Sequence, residues 1–416
     1  MAGAAASVRL PRREAPTDPL AGYSVPVMAP APVAGEQRKF LMYQPQFGMG
    51  NQLLALKSAV AMARTLDRWL VVPHYQSNNG RGKYVPYGAL FDLEVFQTHV
   101  PKSITMDDFL ELGLRPRRLF DMALPLQTVH QHFDYFTDLQ VFGEGAHALN
   151  ASISTVDDNG VEHHIKLTDE DLLRKYGAMD DQVLAFSTTY KMFSHFIDRM
   201  LQKEVSDSWS VSVIPARRVR EAANAAVERL RAPTSAEGTA EDGKFACGHV
   251  RRTDFTELCN VSDSAWLASL SSQGYLCWPS MEEIVSELNE VSGTRVFVAT
   301  DSPGEIRKEM GLEASFELAF GEDFTHLLAG GPSDPALPLM EVEICSLADT
   351  LVVNRYSTFS LFMAHSRHIK EPKTKTDFWM REDVRAKVQD AKRNHMRKQA
   401  EKEAAAKAQE EGNLRR

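Results

Sequence analysis

The chain has 416 residues, of which 43% are hydrophobic and 25% charged, as is typical of a folded globular protein large enough for two domains. Its net charge is −9, whereas a general nucleic-acid binder carries a basic surplus, so we exclude that class. The sequence contains no apolar run of the roughly 18–20 residues that a membrane-spanning helix needs.

The four cysteines show no CxxC spacing, so the sequence indicates neither a zinc site nor a redox pair. Disulfides and free thiols both remain open, although three of the four, Cys247, Cys259 and Cys277, lie close together in sequence. The N-terminal segment contains arginines but no apolar run of signal-peptide length, so the sequence as written favours a cytoplasmic protein.

The first half of the chain begins with an Ala- and Pro-rich segment, residues 1–37, which we predict to be a disordered leader. "KFLMYQ" is predicted to be a strand and "PQFGMG" a loop. A helix then starts near Asn51, with apolar residues at spacings of 3, 4 and 3 from Leu53 to Ala63. "WLVVP" is predicted to be a second buried strand. These elements together form a βαβ unit.

A small, polar and acidic segment, Ala232–Lys244, is predicted to be a linker. After it, strands ("KFACGHV", "TRVFVAT", "DTLVVN") alternate with helices ("SMEEIVSELNEVS", "SPGEIRKEMG", "LPLMEVEICSLA", "STFSLFMAHSRH"). Such alternation indicates a parallel sheet covered by helices on both faces. We therefore predict an α/β fold with two Rossmann-like lobes, residues 38–235 and 236–380, followed by a charged helical tail, residues 381–416.

The first motif that carries chemistry is "GMGNQ", in which Gly48 and Gly50 lie between a strand and a helix. Glycines there let the backbone approach a phosphate at the positive N-terminal end of the helix. A dinucleotide fingerprint requires a third glycine where this chain has Leu53, so NAD binding is disfavoured. The alternative is a glycine turn that serves tight packing only.

The second motif is "HVRRTD", which follows a predicted strand. The period of two in a strand sends His249 and Arg251 to one face and Arg252 to the other. His249 and Arg251 can then reach one ligand together, and we expect Arg252 to pair with a carboxylate elsewhere. An arginine fork suits a diphosphate, whose negative charge grows as the bond to it breaks. The alternative is a surface cluster of ion pairs.

Two further polar groups follow strands. Asp301, after "VFVAT", lies where open α/β sheets bind ligands, or it caps the next helix. In "NRYSTF", Ser357 and Thr358 open a helix and offer hydroxyl and N–H groups to an anion, beside Phe359 as a stacking wall. Plain capping of that helix is again the alternative.

These motifs resemble those of the GDP-fucose-dependent fucosyltransferases, in particular the protein O-fucosyltransferases. The resemblance rests on "GMGNQLLALKSAVAMARTLDRWLVVP", "HVRRTD", "VFVATDS" and "EICSLADTLVVNRYSTFS", and "HVRRTD" is shared with the α1,6-fucosyltransferases. It implies a GT-B fold with the nucleotide on the C-terminal lobe and the acceptor in the cleft. It also implies an inverting transfer without metal or other cofactor, in which GDP-fucose is the donor substrate.

The resemblance also implies roles for individual residues. Arg251 would hold the β-phosphate, together with Ser357, Thr358 and the backbone of Phe359. His249, Asp301 and Glu341 would contact guanosine, and Asn51 would lie near the fucose and the acceptor hydroxyl.

Two positions depart from the family pattern. Met49 stands in the loop where one branch places a glutamate as general base, and Glu341 stands where an aspartate is usual. Glu257 and Asp254 are therefore candidate bases. Alternatively the reaction needs no strong base and Asn51 accepts the proton weakly, an option that we favour slightly.

The leading hypothesis is the transfer of fucose to a Ser or Thr hydroxyl of a protein. The alternatives are transfer to a glycan hydroxyl, of the α1,6 or α1,2 type, and a catalytically silent nucleotide-binding scaffold. The family works in the lumen of the ER or Golgi, whereas this sequence shows no leader, so the location stays open.

Overall fold

The computed structural model describes the chain over residues 38–45, 47–76, 84–121, 139, 147–150, 154–156, 162–164, 169–186, 213–233, 243–260, 265–291, 295–311, 314–370, 375–384 and 386–387. The predicted leader, most of the predicted linker and most of the predicted tail lie outside these ranges.

The N-terminal lobe is built on one sheet of six parallel strands in the order β5-β2-β1-β10-β6-β7. Two separate two-stranded antiparallel sheets are formed by β3 with β4 and by β8 with β9. The elements are β1 (Phe40–Tyr43), α1 (Met49–Thr65), β2 (Trp69–Val72), β3 (Tyr75–Gln76), β4 (Tyr84–Val85), α2 (Tyr87–Leu90), α3 (Leu93–His99), β5 (Ser103–Thr105), α4 (Met106–Glu111), β6 (Arg118–Asp121), β7 (His147–Asn150), β8 (Ser154–Val156), β9 (Glu162–His164), α5 (Asp169–Leu172, continued by a wider turn, Leu173–Gly177), β10 (Val183–Phe186) and α6 (Arg217–Leu230).

The C-terminal lobe is built on a sheet of five parallel strands in the order β13-β12-β11-β14-β15. Its elements are β11 (Ala246–Val250), α7 (Phe255–Asn260), α8 (Ala265–Ser272), α9 (Met281–Val291), β12 (Arg295–Thr300), α10 (Pro303–Met310), β13 (Glu317–Phe320), the short 3₁₀ turns Gly321–Leu327 and Gly331–Ser333, α11 (Leu337–Ser346), β14 (Thr350–Val353), α12 (Thr358–Lys370) and β15 (Lys375–Phe378).

The predicted α/β fold is confirmed, and the apolar segments named in the sequence form the central strands of both sheets. β1 and β11 are buried along their whole length, as expected for parallel strands covered on both faces. Ser280 caps α9 as predicted: its hydroxyl accepts from the Glu283 N–H, and the Glu283 carboxylate accepts from the Ser280 N–H at 2.7 Å.

The two lobes share a continuous apolar core. Helix α6 packs against α11, and α1 packs against α12. Arg218 on α6 joins the two sides, because its guanidinium donates to the Ala89 carbonyl and pairs with the buried Asp334 at 3.0 Å. The face of each lobe that meets the other is therefore fixed by both packing and an ion pair.

Two disulfides settle the state of the cysteines. Cys247 on β11 is bonded to Cys345 on α11, and Cys259 on α7 is bonded to Cys277 in the loop before α9. Both bonds therefore lie within the C-terminal lobe. Among the described helices, none has the length and apolar character needed to cross a bilayer.

Candidate active site

The first turns of two helices from different lobes, α1 and α12, contact each other. The hydroxyl of Thr358, the first residue of α12, donates to the side-chain oxygen of Asn51 on α1 at 2.8 Å. A Cβ added to Gly50 would lie 2.7 Å from the Phe359 nitrogen, closer than real Cβ atoms approach. Glycine at position 50 is thus required by the contact between the helices.

The loop before α1 is held by Gln52. Its side-chain amide donates to the Phe47 carbonyl at 2.6 Å and to the Gln76 carbonyl at 2.9 Å, and its oxygen accepts from the Gln76 N–H. Gly48 precedes α1 in an extended conformation and supplies no side-chain cap. The N-terminal end of α1 therefore keeps its positive dipole next to that of α12.

Arg251 follows β11 and lies between two carboxylates. Its Nε and Nη2 atoms donate to the two oxygens of Asp254 at 2.8 and 3.0 Å, and Nε lies 3.2 Å from Asp301. Burial disfavours the charge of Arg251, but these carboxylates hold its pKa above the ordinary value. The guanidinium is partly accessible, which a ligand-binding group requires.

Asp301 fixes the shape of the loop that carries both arginines. It accepts from the Arg252 N–H at 2.8 Å and from the Thr253 hydroxyl. Sequence reasoning offered a nucleoside contact or a helix cap for Asp301. The nucleoside contact stays a prediction, and these loop contacts were not predicted.

The prediction that Arg252 pairs with a carboxylate is wrong. Its buried guanidinium instead donates to the Pro279 carbonyl at 2.9 Å and lies over the ring of Trp278 at 4.5 Å. Arg252 and Arg251 do diverge as the strand period predicts. Arg252 supports the loop before α9, and that loop is tied to α7 by the disulfide at Cys277.

His249 is buried behind the start of α12. Its Nδ1 lies within hydrogen-bond distance of the Ser360 hydroxyl, and its ring meets Phe359 edge to face at 5.3 Å. Burial, with the charge of Arg251 adding to it, lowers the pKa of His249 to about 3. The imidazole is therefore neutral, and it positions Phe359 and Ser360.

The loop after β14 is organised by Asn354 and Ser360, two residues that sequence reasoning missed. The Asn354 N–H donates to the Ser360 hydroxyl at 3.0 Å, and the Asn354 side chain bonds the Tyr356 N–H and the Cys277 carbonyl. Ser357 is buried, and its hydroxyl accepts from the Ser360 N–H at 3.4 Å. An asparagine at the end of a strand is a turn-forming signal that could have identified this position.

The remaining predicted residues are carboxylates. Glu341 lies on α11 against Gly321, while Glu343 faces the other way and bonds Lys370. Glu341 is partly exposed, and burial, with Asp301 and Glu322 adding to it, raises the pKa of its carboxyl group to about 8. Glu257 is exposed on the first turn of α7.

Comparison with known proteins places this geometry in context. The sequence profile described as GDP-fucose protein O-fucosyltransferase matches residues 40–370. The solved structure of POFUT1 in complex with GDP-fucose is 19% identical, with a TM-score of 0.56 over 84% of this chain and 99% of that one. POFUT1 in complex with GDP gives 19% and 0.55 over 83% and 99%. At this identity the similarity establishes the fold alone.

A more distant structure has a lower identity and a lower TM-score. The NodZ α-1,6-fucosyltransferase soaked with GDP-fucose is 14% identical, with a TM-score of 0.41 over 79% of this chain and 92% of that one. Among curated protein sequences, none matches the chain.

Proposed function

Because the chain belongs to the GDP-fucose protein O-fucosyltransferase family and is therefore a glycosyltransferase, we propose that it transfers fucose from GDP-fucose to a Ser or Thr hydroxyl of a protein, with inversion and without a metal. The observation that carries this proposal is the meeting of α1 and α12 at Asn51 and Thr358. Two positive helix ends from different lobes converge there, at the carboxyl edge of the sheet that also presents Arg251.

These groups suit a leaving diphosphate. Arg251 and the first turn of α12 would neutralise the charge that develops on the β-phosphate oxygen as the bond to fucose breaks. The fixed positive charge of Arg251 supports a transfer that does not depend on a metal. The acceptor hydroxyl forms its new bond to the anomeric carbon on the opposite face, and GDP leaves with the electron pair of the broken bond.

The proton of the acceptor hydroxyl needs a partner on the side of the N-terminal lobe. Asn51 is the candidate that we favour, since its side-chain oxygen lies at the junction of the lobes and can accept a second hydrogen bond. Asp254 is already engaged by two nitrogens of Arg251. Glu257 lies exposed on α7. A weak acceptor suffices if departure of GDP leads bond formation: Asn51 orients the hydroxyl through a hydrogen bond, and the proton, which an amide cannot keep, passes to the departing diphosphate or to water.

A second candidate function is transfer to a glycan hydroxyl, which the motif "HVRRTD" favours. Incubating the protein with radiolabelled GDP-fucose and a glycosylated, folded acceptor protein distinguishes the two functions. We expect label that survives removal of N-glycans and is released by alkaline β-elimination. Label lost with the N-glycans would support the glycan acceptor instead and contradict the proposal.

A further inference from the structure

We infer that Gly321 and Glu341 form a matched pair, in which the absent side chain of Gly321 sets the position of the carboxyl group that binds the nucleobase of the donor. This inference rests on the proposed function, and it assigns a positioning role to a glycine in the turn that follows β13.

The space at Gly321 is filled by Glu341. A Cβ built on Gly321 would lie 2.2 Å from the Glu341 Oε1 atom, 2.9 Å from its Cδ and 3.0 Å from its Cγ. Real Cβ atoms essentially never approach other atoms within 3.0 Å. The last three heavy-atom positions of the glutamate arm therefore lie against the bare backbone of Gly321.

At Gly321 the constraint is the space that the Glu341 side chain occupies, and backbone conformation imposes none. Among the glycines that the structure describes, those in the left-handed region are Gly113, Gly243, Gly274 and Gly331, and Gly321 is not among them. The turn itself has other supports, because the Phe320 N–H donates to Asp323 at 2.8 Å and Asp323 pairs with Arg307. An added methyl group at position 321 must therefore displace the glutamate side chain instead of the turn.

The length of the Glu341 side chain determines whether it fills the space at Gly321. An aspartate at this position would be one methylene shorter and would leave the space at Gly321 unfilled. The extra length of the glutamate lies in that space, which keeps its carboxyl group near the end of β12, where Asp301 also lies. Glu343 cannot replace it, because Glu343 is buried against Lys370 and Ser346.

A carboxylate is an acceptor-only group, and it matches a nucleobase edge that presents two neighbouring N–H donors, as guanine does. Displacing the carboxyl group would therefore weaken binding of the base and leave the diphosphate contacts of Arg251 untouched. Weaker binding of the base with unchanged binding of the diphosphate distinguishes a positioning role from a general loss of structure.

The test is a double-mutant cycle with Gly321→Ala, Glu341→Asp and the combined variant. Titration calorimetry measures GDP and inorganic pyrophosphate at pH 8. We expect Gly321→Ala to weaken GDP at least about tenfold, the effect of losing hydrogen bonds to a charged acceptor, and to leave pyrophosphate unchanged. In the combined variant the alanine methyl occupies the space that the shorter aspartate vacates, so affinity for GDP should recover relative to Gly321→Ala.

Gly304→Ala is the matched control, because nothing lies within 4 Å of a Cβ at Gly304. It should bind both ligands like the unmodified protein. The inference is wrong if Gly321→Ala binds GDP normally, if pyrophosphate binding falls in parallel, or if the two single effects merely add. If the unmodified protein binds neither GDP nor pyrophosphate, the proposed function is itself wrong and this inference falls with it.

Discussion

The two sides of the candidate site are built differently. On the C-terminal side, the loops after β11 and β14 are fixed by side chains (Asp301, Asn354 and Ser360), and both disulfides lie in this lobe. The first 235 residues contain no cysteine. Helix α1 is held at the site by the packing of its buried residues and by the hydrogen bond from the Gln52 side chain to the Gln76 carbonyl. The C-terminal side, which we propose binds the nucleotide, is thus cross-linked in place, whereas the N-terminal side, which we propose faces the acceptor, contributes a buried helix end.

Asn51→Ala is expected to have the largest effect on one side of the site alone, because it should change the transfer rate and not the affinity for GDP. Asn51 comes from the acceptor side, so its loss should lower the rate of transfer on the order of 100-fold and leave the affinity for GDP unchanged. Steady-state transfer rates and GDP titration measure the two quantities.

Two comparisons sharpen this result. Asn289→Ala, at an exposed position of α9, should change neither quantity. Thr358→Val removes the hydroxyl that donates to Asn51 and that would also contact the β-phosphate, so GDP affinity is measured beside the rate. An equal loss of rate with unchanged GDP affinity would mean that Asn51 acts by holding Thr358 and not on the acceptor hydroxyl.

Cross-linking on the nucleotide side is tested by replacing Cys259 and Cys277 with serine. The bond closes a sequence separation of 18, for which chain entropy predicts about 3 kcal/mol of the free energy of unfolding. Thermal unfolding should show this loss, and affinity for GDP should fall because Pro279, which holds Arg252, lies in the tethered loop. Unchanged affinity would mean that the loop keeps its shape without the bond.

The smallest effect expected is on pH dependence. The pKa of Glu341 is raised to about 8 from an ordinary value of 4.5 by burial, Asp301 and Glu322. If the carboxylate form binds the base, affinity for GDP should rise by at most about tenfold per pH unit up to pH 8 and then level off. His249, with its pKa near 3, stays neutral throughout this range.

The same shift affects stability with a definite sign. The folded state binds the Glu341 proton more tightly than the unfolded state, so its contribution is greatest below about pH 4.5 and is lost as the pH rises to 8. Glu341→Gln should remove this part of the pH dependence of unfolding. A slope that persists in Glu341→Gln would assign this part of the pH dependence to other groups.

Much of the fold follows from sequence periodicity, because central parallel strands are short apolar runs between helices. The edge strands β13 and β15 were not predicted, since "ELAF" and "KTDF" mix polar with apolar residues as edges allow. Helix α1 starts at Met49, two residues before the expected Asn51, because its first turn is anchored against α12.

Within the site, sequence motifs located the residues but not their partners. Strand alternation predicted that Arg251 and Arg252 diverge, yet the choice between a carboxylate and the Pro279 carbonyl depends on the tethered loop before α9. The Gly321–Glu341 contact joins two segments twenty residues apart and leaves no local pattern. Long-range contacts of this kind are decided by tertiary packing.

The central claim is that the junction of the two lobes binds a nucleoside diphosphate through Arg251 without a metal. Calorimetric titration of GDP and GDP-fucose, with and without EDTA, tests it on the unmodified protein, on Arg251→Ala and on the exposed control Arg217→Ala. We expect binding that EDTA does not change, that Arg217→Ala retains and that Arg251→Ala loses by on the order of 100-fold. Binding that vanishes with EDTA, or that Arg251→Ala retains, would contradict the account.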